Sequence, residues 1–252
     1  ELTRLFKQTY KKYGKTIVYP NTNSGEIFDY LGKNKFLSYI IPEKYGGKNL
    51  SVSELSSVLV KISSQNPALG VSVMVPNSLG PGELLQEYGT EDQKNKYLPG
   101  LADGKYVPCF GLTGPENGSD AAGKIDKGIL KMKNGKRVVE VTVNKRYITL
   151  APVSNLVGLA FKLEDPDGLL EAGNPGITVA LLESSHPGLN KTTHHNPLGA
   201  GFPNGTLKGT FDVELDQIVG GEQNAGLGWK MLMECLAAGR AVCLPGTALG
   251  SS

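Results

Sequence analysis

Near residue 107 the apolar pattern of the chain changes period, and near residue 223 it changes back. The first part reads as helix. Leu2, Leu5 and Phe6 form an apolar stripe. Ser51 and Glu54 form a capping box ahead of Val52, Leu55, Leu59 and Ile62 at helical spacing. Thr90 and Gln93 open another helix, which carries Tyr97 and Leu98. Pro42, Pro67, Pro76 and Pro81 divide this region into short helices. Beyond 107, runs near 128–133, 137–143, 155–163, 176–183 and 207–213 are short, often β-branched and bounded by turn residues. Asn134-Gly135 accepts the positive φ values of a type I′ hairpin turn. Strands follow helices without alternating with them, so the spacing predicts an antiparallel β module rather than a parallel sheet. After 223, Trp229, Leu232, Met233 and Leu236 share one face of a last helix, and that stripe needs a partner to bury it.

The 252 residues, 39% of them apolar, suffice for one large or two modest domains. The net charge of +2 comes from 26 basic and 24 acidic residues, interspersed. No overall field calls for nucleic acid or an anionic membrane. Lys131, Lys133, Lys136 and Arg137 read as a solvated hairpin tip. Cys109, Cys235 and Cys243 are odd in number and fit no zinc spacing, which favours a reducing compartment. His194 and His195 are adjacent, so in a strand their rings face opposite ways and suit a metal poorly. No metal site and no transmembrane segment are expected.

The stretch CFGLTGPENGSD, residues 109–120, lies at the first change of texture. It resembles the flavin- and substrate-contacting signature of the acyl-CoA dehydrogenases. Four other blocks stand in the same order as in that family. IPEKYGG (41–47) is similar to its early turn. YGTEDQK (88–94) with YLP (97–99) is similar to its following helix. KRYIT (145–149) is similar to its K-x-W-I-T segment. GGE (220–222), GLGW (226–229) and AGR (238–240) are similar to the entry of its C-terminal bundle. The details lean toward the large bacterial-type enzymes of fatty-acid β-oxidation.

The resemblance implies an N-terminal helical domain (1–106), a middle antiparallel β-barrel or sandwich-like domain (107–221) and the first helix of a C-terminal bundle (222–252). It implies an FAD enzyme that removes an α-proton and a β-hydride from a fatty acyl-CoA. Phe110, Leu112, Thr113, Tyr147, Ile148 and Thr149 are its cofactor-binding candidates, with the two threonines at the pyrimidine edge and beside N5. Gly118 and Ser119 are its acyl-CoA contacts, and Asp120 is expected to cap the next turn. Residues 66–88 are expected to line a pocket for medium or long acyl groups. An electron-transferring flavoprotein is the expected acceptor, and a homo-oligomer the expected assembly. The compartment would be the cytoplasm in a bacterium or the mitochondrial matrix in a eukaryote.

Departures from the family pattern fall at Gly114, where an acid is usual, and at Leu150-Ala151-Pro152. An acyl-CoA oxidase, a flavin monooxygenase relative, or a non-catalytic acyl-CoA- or flavin-binding module stay open. The catalytic carboxylate is expected in a segment after residue 252, because Gly239 stands where some members carry it and Glu234 faces another way. Arg240 is then expected to bridge helices or steady that acid.

Overall fold

The computed structural model describes residues 24–78 and 80–252. The stripe at Leu2, Leu5 and Phe6 lies outside them. Among the described residues five α-helices come first: α1 (Ser24–Lys33), α2 (Val52–Ser63), α3 (Pro67–Met74), α4 (Pro81–Tyr88) and α5 (Glu91–Ala102). Their starts follow from sequence chemistry. Ser51 and Glu54 form the reciprocal cap of α2, Asn66 caps α3 ahead of Pro67, and Thr90 and Gln93 cap α5. Asn77 lies in the stretch expected to line an acyl pocket, yet it serves the fold. Its Oδ1 accepts from Tyr39 N–H at 2.7 Å, and its Nδ2 donates to the carbonyls of Phe36 and Val73, each at 2.8 Å.

Seven strands follow: β1 (Pro108–Gly111), β2 (Lys127–Lys133), β3 (Lys136–Thr149), β4 (Leu156–Glu164), β5 (Gly176–Glu183), β6 (Asn190–His194) and β7 (Asn204–Glu214). The β2–β3 hairpin turns at Asn134 and Gly135, with φ of 52° and 76°. The curled sheet is mixed rather than antiparallel throughout. β1 and β2 both run parallel to β4, while β2–β3, β3–β7, β4–β5 and β6–β7 are antiparallel. β5 occupies one edge of β4 along its length, so β1 and β2 share the other edge, one after the other. β4 is buried on both faces, which accounts for its near-continuous apolar run. Val157, Leu159 and Phe161 join one core with β3 and the early helices. Leu156 and Ala160 join a second core with α4, α5 and the last helix.

That last helix, α6 (Gly228–Ser251), packs on α2, α3, α4 and β5. Leu232, Cys235 and Leu236 are buried, while Met233 points outward and is 40% exposed, so it does not share their face. Glycines set how closely α6 approaches. A Cβ on Gly239 would lie 2.6 Å from the Ser78 carbonyl oxygen, and one on Gly250 would lie 2.3 Å from that of Val60. The outer face carries Met233, Ala237, Ala241, Leu244 and Ala248, all exposed. By length and composition α6 is apolar enough to cross a membrane, which corrects the expectation that no segment reaches that length.

Gln93 joins the helices to the end of the sheet. Its Nε2 donates to the carbonyls of Asp216 (2.8 Å) and Ile218 (2.7 Å), and its Oε1 accepts from the N–H of Gly220 (2.9 Å) and of Thr90 (3.2 Å). The basic cluster lies at an exposed hairpin tip and is ion-paired. Arg137 forms a two-pronged pair with Glu222 at 2.7 and 3.1 Å, and Lys131 and Lys133 pair with Glu140 and Asp212.

Truncating Gln93 to alanine removes the partner of the Asp216 carbonyl and of the Thr90 N–H and the buried Gly220 N–H, while the Ile218 carbonyl keeps the Gly221 N–H. The expected loss is roughly 3 kcal/mol of unfolding free energy, read by urea denaturation. A second test concerns pH. Burial, and then the neighbouring Glu87, push the Glu83 carboxyl up to about 7. Its folded value lies above its unfolded one, so its contribution is complete below the ordinary value of 4.5 and is lost as pH rises through about 7. Glu83→Gln should remove that slope from thermal melts taken between pH 5 and 8, and should be the more stable form at pH 8.

Candidate functional site at the signature loop

The chain leaves the sheet at Gly111, opposite Leu159, and re-enters at Lys127, opposite Lys162. The loop 112–126 is therefore an excursion from one edge of β4. Lys145 holds both of its ends. In β3, Val139, Val141, Val143 and Lys145 alternate inward, and Lys145 is fully buried. Its Nζ donates to the Leu112 carbonyl at 3.0 Å and pairs with the Asp126 carboxylate at 3.0 Å. Burial lowers the pKa of this ammonium, and Asp126 opposes that shift. Asp126 also accepts from Asn144 N–H, and its carbonyl accepts from Lys162 N–H.

Asn117 fills the loop interior. Its Nδ2 donates to the carbonyls of Leu112 (3.2 Å) and Ala121 (3.4 Å). This explains the absence of a side chain at 114, since a Cβ there would lie 2.6 Å from Asn117 Oδ1 and 3.1 Å from the Asn144 carbonyl oxygen. The turn after Asp120 is closed by its carbonyl, which accepts from Gly123 N–H at 3.2 Å, and not by its carboxylate as expected.

Beyond Lys145 the β3–β7 register shifts, and the chain bulges at Arg146 and Tyr147. Tyr147 takes a φ of 61°. The freed Arg146 N–H donates to the Thr113 carbonyl at 2.9 Å and so ties the bulge to the signature loop. The Tyr147 ring is 51% exposed, with its centroid 4.6 Å from that of His195 and 4.8 Å from the Arg146 guanidinium. His195 hydrogen-bonds Thr206 Oγ1 at 2.9 Å, and burial, then Arg146, lower its pKa.

These devices bring Phe110, Leu112, Thr113, Tyr147, Ile148 and Thr149 around one cleft of about 110 Å³. Val75, Leu236 and Arg240 complete its lining. Sequence reasoning did not assign these three to the cleft, although Leu236 and Arg240 stand four apart on one helix face. Arg240 was expected to bridge helices or to steady the catalytic acid, and among the described residues it bridges none. It is exposed at the cleft and forms no ion pair or hydrogen bond among the described residues. The Thr113 hydroxyl likewise has no protein partner among them.

Gly118 and Ser119 are not brought to this cleft; both are exposed on the loop, and nothing lies within 4 Å of a Cβ built on Gly118. Among the described residues no Asp or Glu lines the cleft. Glu234 accepts from the Tyr88 hydroxyl, and Glu116 pairs with Lys124. A larger groove of about 840 Å³ runs between α5 and the β2–β3 hairpin. It contains none of the signature residues, and its Lys96 and Lys133 are paired with Glu183 and Asp212. Among the described residues no group of three or more His, Cys, Asp or Glu could hold a metal ion.

The sequence profile of the acyl-CoA dehydrogenase N-terminal domain matches residues 4–105. An acyl-CoA dehydrogenase of Bacillus subtilis (strain 168) is 31% identical over 218 residues, which is 85% of this chain and 54% of that protein. The chain thus spans about half the length of this curated relative. Its fold is that of the butyryl-CoA dehydrogenase of Megasphaera elsdenii (TM-score 0.76, 21% identity, 99% of this chain and 65% of the other). It is also that of a Bacillus anthracis acyl-CoA dehydrogenase complexed with FAD (TM-score 0.73, 23% identity, 89% of this chain and 36% of the other).

Replacing Lys145 by methionine removes the counter-charge of Asp126, which keeps only Asn144 N–H, and one of the two donors to the Leu112 carbonyl. The expected loss is about 3–5 kcal/mol of stability. Faster proteolytic cleavage within 112–126 should accompany it, and cleavage at the rate of the parent protein would show that Lys145 does not hold the loop.

Proposed function

We propose that this chain, which matches the acyl-CoA dehydrogenase N-terminal profile over residues 4–105 and is 31% identical to an acyl-CoA dehydrogenase over 218 residues, is a member of that family and the FAD-binding front portion of an enzyme that dehydrogenates fatty acyl-CoA thioesters between Cα and Cβ. The observation that carries this reading is the cleft itself. Thr113 and Thr149 both line it, on segments tied together through Arg146 N–H and Lys145. The aromatic rings of Phe110 and Tyr147 and the apolar side chains of Val75, Ile148 and Leu236 supply the surface for a flat heterocycle.

The residues fit that group. The unpartnered Thr113 hydroxyl can donate to or accept from a polar ring edge. When bound, FAD supplies the hydride-accepting centre of the reaction. The protein's part is to orient. Thr113 and Thr149 fix the ring edges, the apolar lining excludes water, and the rigid bulge at Tyr147 keeps both threonines on one side. The proton-accepting carboxylate belongs to a segment other than these residues. Gly239 abuts Ser78 too closely for any side chain, and neither Glu234 nor Glu116 reaches the cleft.

The exposed apolar face of α6 suits the further helices of a C-terminal bundle, consistent with domains at 1–106, 107–221 and 222–252. β-Oxidation as the setting, a preference for medium or long acyl groups, an electron-transferring flavoprotein as acceptor and a homo-oligomeric assembly complete the reading. The first test is FAD binding with protein in excess, followed by quenching of flavin fluorescence. Thr113→Val and Thr149→Val should each weaken it about tenfold, the worth of one ligand hydrogen bond. Ser119→Ala should leave it unchanged. Equal affinity in both threonine variants would remove the cleft from consideration.

A further inference from the structure

The bulge at Arg146 and Tyr147 leaves the Tyr147 carbonyl without a partner strand group, because the β3–β7 register resumes only at Ile148 opposite Gly205 and Thr149 opposite Asn204. Asn204 fills that gap. It is 4% exposed, and its Nδ2 lies 3.3 Å from the Tyr147 carbonyl oxygen and 3.5 Å from Thr149 Oγ1. The second contact is at the outer limit of hydrogen bonding. Its Oδ1 is buried without a partner. The amide therefore turns its donor, not its acceptor, toward the bulge. The reverse orientation would set two oxygens against each other at Tyr147.

We propose that Asn204 is a positioning residue for the cleft, one that fixes the polarity of the Thr149 hydroxyl. With the amide NH₂ facing Thr149, Oγ1 receives from the protein side. Its own proton is then left to point into the cleft, since no other protein group takes it among the described residues. Thr149 is thereby pre-set as a hydrogen-bond donor to a ligand acceptor atom, which on the reading above is N5 of oxidised flavin. The inference rests on that reading for the identity of the ligand, but the amide orientation follows from this chain alone. His195 N–H donates to the Asn204 carbonyl at 2.8 Å, which holds the residue's backbone in place while the side chain performs this task.

The test is the ¹⁵N resonance of FAD labelled at N5, bound to protein in excess. In the parent protein N5 should show the upfield shift of a hydrogen-bonded nitrogen. Thr149→Val should abolish that shift. Asn204→Asp should abolish it too, because a carboxylate draws the Thr149 proton back toward the protein. Asn204→Ser, too short to bridge both groups, carries the same expectation if the aspartate variant does not fold. The double variant with Thr149→Val should show no further change. Thr113→Val should leave the N5 shift in place. A bonded N5 that persists in both Asn204 variants while Thr149→Val removes it would overturn the role of Asn204 and leave the FAD reading standing. An N5 that is not hydrogen-bonded in the parent protein would overturn the proposal without any variant. Absence of saturable FAD binding would overturn both.

Discussion

The ammonium of Lys145 sits among the valines of β3 with no exposure to water, held by one carbonyl and one carboxylate. Desolvating a charge costs several kcal/mol unless its partners are well placed, so this arrangement tolerates little slack. Leu112 and Asp126 are the first and last residues of the signature loop, and neither can move without stranding a buried charge. Thr113 is next in the chain after Leu112, and its carbonyl is gripped again by Arg146 N–H. The position of the Thr113 hydroxyl is thus a consequence of core electrostatics rather than of anything in the loop tip. Gly118, Ser119 and Asp120, which have no such anchor, are exposed.

Much of this was legible in the sequence because it depends on local chemistry. The caps at Ser51 and Thr90, the hairpin at Asn134-Gly135 and the change to β-branched runs are local signals, and each acts within a few residues of where it is written. The six residues around the cleft were found through motif resemblance. What could not be read was pairing at a distance. Nothing local says that β1 and β2 lie along one edge of β4 and run parallel to it. The bulge at Tyr147 was equally hidden, since a positive φ on a tyrosine has no sequence signature. Lys145 did leave a trace, as the fourth inward position of an alternating strand, but alternation shows where a side chain points and not what meets it there.

Helix α6 shows how packing can restrict chemistry. Gly239 lies against Ser78 so closely that a methyl group would overlap its carbonyl oxygen. Leu236, about one turn before it, and Arg240, the next residue, line the cleft. The glycine brings the helix near enough for those two side chains to reach the cleft, and for the same reason it contributes no functional group of its own.

The shared edge of β4 has an architectural consequence. Because β1 and β2 dock one behind the other on the same strand, the sheet needs only that residues 111 and 127 meet β4 a short step apart. The intervening segment is a graft into what is otherwise one interrupted strand. The entropy of closing such a loop grows slowly with its length. Its tip can therefore be lengthened, shortened or rewritten without disturbing strand register, provided the lysine clamp at its base is kept. A scaffold built this way separates the problem of folding from the problem of ligand choice, and leaves the second free to vary while the first stays solved.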